Sequence, residues 1–196
     1  ISIPDKRYIS APTNGLSTLK RGSITVSMSG SILGHYKTQY YLTVTSLYDS
    51  PTPTSGWFDA EKTINASVTS PSAGPAGTRH VCTGWTGTGS VPASGITATA
   101  IFTINASSSI TWNWKTQYLL VVRTDPAELS PQPTGNPRGE AAGGGWWYDS
   151  SISVNLTAQQ VSEYVFTNWD VDGVTVGGNP ITVQMGAPHT ATAYYW

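Results

Sequence analysis

KTQYYLTV at residues 37–44 returns as KTQYLLVV at residues 115–122, with six of the eight positions identical. Every second residue is apolar: Tyr40, Leu42 and Val44 in the first stretch, Tyr118, Leu120 and Val122 in the second. A period of two marks a strand that buries one face. A chain that opens the same strand twice is built of repeats, so further blocks can be aligned outward from this anchor.

GWFDAEKTINAS (56–67) falls on WYDSSISVNLT (147–157): Trp57 meets Trp147, Asp59 meets Asp149, and Asn65 meets Asn155. HVCTGW (80–85) falls on YVFTNW (164–169), which pairs Cys82 with Phe166 and Trp85 with Trp169. FTINASSSITWNW (102–114) parallels TVQMGAPHTATAYYW (182–196). Two abutting modules result, at 37–114 and 115–196. Every matched block has strand character, and Pro/Gly/Ser turn stretches such as SPTPTSG (50–56) and SPQPTGNPRGEAAGGG (130–145) separate them. No helical period is found. The expected fold is all-β: two tandem small β-sandwich modules, Ig-like with a β-grasp-like arrangement as the alternative. Residues 24–37, ITVSMSGSILGHYK, match the ITVQM block of 181–185 and read as the closing hairpin of a third, partial repeat within 1–36. Residues 1–23 hold four of the ten basic residues and little strand pattern beyond Ile1 and Ile3.

The composition narrows the class. The chain has 196 residues, 38% hydrophobic and only 11% charged, against about a quarter charged in an average protein. A net charge of −1 gives no basic field for a nucleic acid, and no apolar run reaches the roughly 20 residues that cross a bilayer, so membrane insertion is not expected. ISIPDKRYIS does not read as a signal peptide, so one has been removed or none existed. The single cysteine, Cys82, rules out an intrachain disulfide. Ser/Thr-rich, Lys-poor composition with many β-branched residues points to a durable extracellular protein at the cell surface.

The strand YYLTV, then GW[FY]D, then a strand ending in Gly-Trp or Asn-Trp, then TV-x-M before an aromatic strand resembles the divergent internalin-type B-repeat modules across residues 37–196. That resemblance implies tandem modules of secreted or cell-surface proteins with a structural or adhesive role.

Catalytic chemistry finds little footing. His35, His80 and His189 fall in unrelated blocks without ligand spacing, and no nucleophile elbow or phosphate loop occurs. No enzyme activity, metal or cofactor is expected. Asp170 and Asp172, in DVDG, lack the distal glutamate of a calcium loop, and Asp172-Gly173 reads as a hairpin turn. Asp59 and Asp149 are expected to cap turns. Lys37 and Lys115 recur at the module starts and read as solvated. Trp57, Trp85, Trp147, Trp169, Cys82 and Phe166 are expected in the cores. Trp146 has no tryptophan counterpart and is the best candidate for an exposed indole that stacks on sugar. The sequons at Asn65, Asn105 and Asn155 sit at outward or turn positions, so all three are N-glycosylation candidates.

The partial repeat leaves an unpaired strand edge, a template for pairing with another chain. One exchanged strand that buries three or four side chains would contribute on the order of 5–10 kcal/mol. The expectation is therefore a filament or array subunit, pilus-like, whose partner is itself, polymerising head to tail by strand addition. Ile1, Ile3, Leu119, Val121 and Trp196 are the candidate contacts. Leu119 and Val121 stand where the first copy has Tyr41 and Thr43, and so offer extra apolar surface. The alternatives are a spacer segment of a multi-repeat adhesin and a module that binds surface glycans.

Overall fold

The computed structural model of the chain describes residues 6–10, 36–127 and 129–196, and only the backbone of 6–10 and 36. Ile1, Ile3 and most of the hairpin expected over 24–37 lie outside the described residues. The described chain is all-β. The strands before the long central one are β1 (Lys6–Ser10), β2 (Tyr36–Thr45), β3 (Gly56–Asp59), β4 (Lys62–Ser67), β5 (Ser72–Ala73), β6 (Thr78–Thr88), β7 (Ser94–Gly95) and β8 (Thr99–Ile104). β9 (Ser108–Asp125) spans the join of the two sequence repeats. After it come β10 (Thr134–Asn136), β11 (Glu140–Ala142), β12 (Gly145–Asp149), β13 (Ser153–Thr157), β14 (Phe166–Val171), β15 (Val174–Val176), β16 (Ile181–Gln184) and β17 (His189–Tyr195).

Two compact units result, and their limits differ from the repeat limits. Unit 1 contains the described part of Ile1–Thr69 together with Thr83–Asn113; unit 2 contains Ser70–Cys82 and Trp114–Trp196. The break after Asn113 lies one residue from the repeat boundary. Residues 70–82, however, belong to the first repeat in sequence and to unit 2 in space.

In unit 1, β2 pairs antiparallel with β3, from Gln39↔Asp59 to Leu42↔Gly56. It pairs in parallel with the start of β9, from Leu42↔Ser108 to Thr45↔Thr111. A parallel pair needs a crossover, and the intervening chain supplies one by building the separate β4–β8 pair. β8 alternates exposed and buried through all six residues, which places Ala100, Phe102 and Ile104 inside. They share the core with Leu42, Ile64, Trp85 and Ile110. A strand also stands where the sequence suggested little pattern: β1 runs antiparallel to β2 from Lys6↔Tyr40 to Ser10↔Tyr36.

Unit 2 repeats the plan. The second half of β9 pairs antiparallel with β12 and parallel with β17. β17 pairs with β14, and β14 with β15. A second sheet, β10–β13–β16, brings Val154, Leu156, Ile181 and Val183 to a core that includes Leu120, Tyr148 and the fully buried Trp169. Asp172 and Gly173 connect β14 to β15 with φ of +54° and +85°, the two-residue left-handed turn read from DVDG.

Several side chains sit elsewhere than expected. Trp85 and Trp169 are buried, but Trp57, Trp147, Cys82 and Phe166 are only half-buried. In β12 the residue that enters the core is Tyr148, next to Trp147. GWWYD carries no polar alternation, so its period could not choose the inward face. Trp146 is half-buried against the same core. The stretch 130–145, read as loop, contains β10 and β11.

Candidate strand-complementation site

The motif Lys-Thr-Gln-Tyr sits at the start of β2 and in the middle of β9, and in both places it meets the aspartate of the neighbouring strand. In unit 1, Lys37 Nζ lies 3.3 Å from Asp59 Oδ2, and Gln39 Nε2 donates to Asp59 Oδ1 at 2.7 Å. In unit 2, Lys115 Nζ lies 2.9 Å from Asp149 Oδ1, and Gln117 Nε2 donates to the same oxygen at 2.7 Å. The antiparallel register, Gln39↔Asp59 and Gln117↔Asp149, places each amide across from its carboxylate. Asp59 and Asp149 therefore tie the first strand to the second rather than cap turns. Lys37 and Lys115 are paired with them, not simply solvated.

The acids respond to these partners. The Gln39 hydrogen bond, then Lys37, holds the Asp59 carboxyl below its ordinary range. Burial pushes Asp149 up, but Gln117 and Lys115 together outweigh it and leave it lowered. Gln39 and Gln117 are themselves buried, at 8% and 7% exposure, so their amides need partners on every side.

For Gln117 the further partner comes from residues 70–82. Arg79 Nε donates to Gln117 Oε1 at 2.8 Å. The same guanidinium pairs with Glu140 and lies 4.6 Å over the Trp147 ring. His80 Nδ1 is 3.2 Å from Thr116 Oγ1, and the Leu119 N–H donates to the Gly77 carbonyl at 2.9 Å. Gly77 has φ +70°, and a Cβ there would stand 2.6 Å from Pro188 Cβ, so only glycine fits this turn. These contacts seat Gly77–His80 along the edge of Thr116–Leu119. They also explain why Leu119, expected as open apolar surface, is half-buried; Val121, expected likewise, is half-buried between its neighbours Gly145 of β12 and Thr190 of β17.

The same edge in unit 1 is the start of β2, and β1 covers it. Arg7 faces Gln39 and Tyr8 faces Thr38 in the backbone register. The equivalence is residue for residue: KRYIS (6–10) corresponds to TRHVC (78–82), with arginine opposite the glutamine in both. Sequence reading missed this pair. The signal is present as Arg-aromatic-aliphatic-small, RYIS and RHVC, but the repeat alignment sets HVC against YVF of the second repeat and so hides it.

The other candidates are placed as follows. Asn65, Asn105 and Asn155 are all exposed; Asn155 Oδ1 accepts from Thr182 Oγ1 and Asn105 Oδ1 from the Glu61 N–H. Trp196 is 90% exposed and exchanges backbone bonds with Val165, itself 67% exposed. Asp170 Oδ1 accepts from the Gly173 N–H, while Asp172 holds His189 Nδ1 at 2.5 Å and the Thr190 N–H at 2.8 Å. No helix of the described residues is long and apolar enough to cross a membrane. Comparison with protein-family models, with curated proteins and with solved structures gives no match.

Proposed function

We propose that this chain is a structural subunit of an extracellular cell-surface filament or array, joined end to end by β-strand addition between copies. One observation supports this above the others. Each unit closes the edge of its opening strand with a strand that precedes it in sequence: β1 for β2, and Thr78–Cys82 for the second half of β9. Strand addition is thus already the way this chain completes a module. If β1 is instead given to the β2 edge of a second copy, each copy donates one strand and receives one. The contact is heterologous, and unless it closes into a ring it propagates as a filament.

A cysteine pair tests the exchange. Tyr8 and Thr38 face each other, so Tyr8→Cys with Thr38→Cys, in a Cys82→Ser background, reports which copies share a strand. The expected result is a ladder of disulfide-linked multimers on denaturing gels, with filaments in negative stain. A monomer closed by an intrachain bond, with a monomeric mass by light scattering, refutes the polymer. That outcome leaves the spacer-segment reading, in which consecutive modules of one polypeptide use the same joint.

A further inference from the structure

Unit 2 carries a feature that the described residues of unit 1 lack. The stretch 130–145 folds back over β12 and is anchored on both sides. β10 pairs with β13 through Thr134↔Thr157 and Asn136↔Asn155, and β11 pairs with β12 through Glu140↔Trp147 and Ala141↔Trp146. Gly139 lies so close that a Cβ would stand 2.6 Å from the Trp147 carbonyl oxygen and 2.9 Å from Trp146 Cβ. The segment is therefore a held wall rather than a loose loop.

Between this wall and β12 lie two adjoining hollows of about 300 and 240 Å³. Trp146, Gln132 and Pro133 line both; Val122 borders the first and Arg138 the second. Trp146 is half-buried against the core, which fixes the indole while leaving part of it to the groove. The Gln132 amide is oriented by its own bond, Nε2 to the Leu129 carbonyl at 2.6 Å, which leaves Oε1 as an acceptor. Arg138 is exposed, and among the described residues no carboxylate pairs with it. The nearby Glu140 is already engaged by Arg79.

We propose that this groove binds an acidic oligosaccharide, a chain bearing uronate carboxylates. The fixed indole offers a flat face to the C–H side of a pyranose, with Pro133 as the adjoining apolar wall. Gln132 Oε1 accepts from a sugar hydroxyl. Arg138, unpaired with any carboxylate among the described residues, supplies the cation that a uronate matches with two parallel hydrogen bonds. A proline-rich peptide is the less suited occupant, because such ligands rest between several aromatic ridges and this groove has one tryptophan. The site is independent of the strand-exchange reading.

The test is a titration of the intact chain with trigalacturonate, galactotriose and a decaproline peptide, followed by tryptophan fluorescence and calorimetry. Saturable binding of trigalacturonate is expected, with Arg138→Gln weakening it about tenfold or more and Trp146→Ala abolishing it. Arg138 is on the surface, so its variant keeps the test valid even where Trp146→Ala disturbs the core. Equal binding of galactotriose overturns the acidic assignment. Preference for decaproline overturns the saccharide assignment. No binding at millimolar concentration, or binding indifferent to both substitutions, overturns the site.

Discussion

Arg79 joins three parts of unit 2 through one side chain. Its guanidinium satisfies the buried Gln117 amide, pairs with Glu140 and covers Trp147. Arg79→Ala should destabilise unit 2 by about 1–3 kcal/mol, because it also leaves Gln117 Oε1 buried without that donor. Arg79→Lys should recover little, since an ammonium cannot bond the amide, bond the carboxylate and stack at once. Urea unfolding of the three proteins measures both. Acid sensitivity follows from the aspartates. Asp59, Asp149 and Asp172 all have carboxyls lowered in the folded chain. For Asp172, burial pushes up and the His189 and Thr190 hydrogen bonds more than offset it. A lowered folded value stabilises above the unfolded value of about 4, and the gain is lost as pH falls through the folded value. The melting temperature should hold from pH 7 to about 5 and decline below about pH 4. Asp149→Asn should start lower and decline less, and an unchanged acid limb in that variant would contradict the assignment.

At the scale of elements, β1 is a lid on an edge. Ile9→Pro removes a backbone donor from β1 at the Ile9↔Lys37 pair and so weakens its pairing with β2. That pair is one of the alternate positions where β2 faces β1; Thr38 turns its carbonyl the other way, to the Ala60 N–H. Hydrogen exchange should speed up across Lys37–Tyr40, while Thr116–Leu119, covered by their own segment, keep their protection. Uniform acceleration in both places would mean that β1 supports the whole fold rather than one edge. The difference between what was legible and what was not also lies here. KTQYYLTV, KTINAS and SVNLT alternate cleanly, and their inward residues Leu42, Ile64, Ala66, Val154 and Leu156 are buried. GWFD and GWWYD are apolar on both faces, so pattern shows the strand but not the face, and the repeat alignment puts Trp147 in the core position that Tyr148 fills. KRYIS is five residues long, begins with two cations and lies far in sequence from its partner strand. Its pairing shows only when it is set beside TRHVC and both are placed opposite KTQY. Trp146 stood out as the unmatched indole, but the two short strands that wall its groove did not, because their Gly- and Pro-rich sequence is also turn chemistry.

At the scale of the whole molecule, repeat and folding unit are out of step. Cutting the chain at the repeat boundary should therefore cut through a fold. A fragment of residues 115–196 keeps nearly all of the core around Trp169 but loses Ser70–Cys82, and with it Arg79, the His80 contact and the Gly77 carbonyl. Gln117 is then left with an unmet oxygen, and the edge at Thr116–Leu119 is bare, the condition in which strands pair with whatever they meet. The fragment should be less stable than the intact chain and prone to association. Adding the 70–82 peptide, SPSAGPAGTRHVC, in trans should restore a monomer and raise its melting temperature with peptide concentration, as ligand linkage requires. The same peptide with alanine at position 79 should do so only at higher concentration. Rescue of this kind would show that an opening edge accepts a strand not joined to it by the chain, which is what assembly between copies demands. A fragment already monomeric and fully stable without the peptide would show that the covering strand is dispensable, and would remove the physical reason for exchanging one.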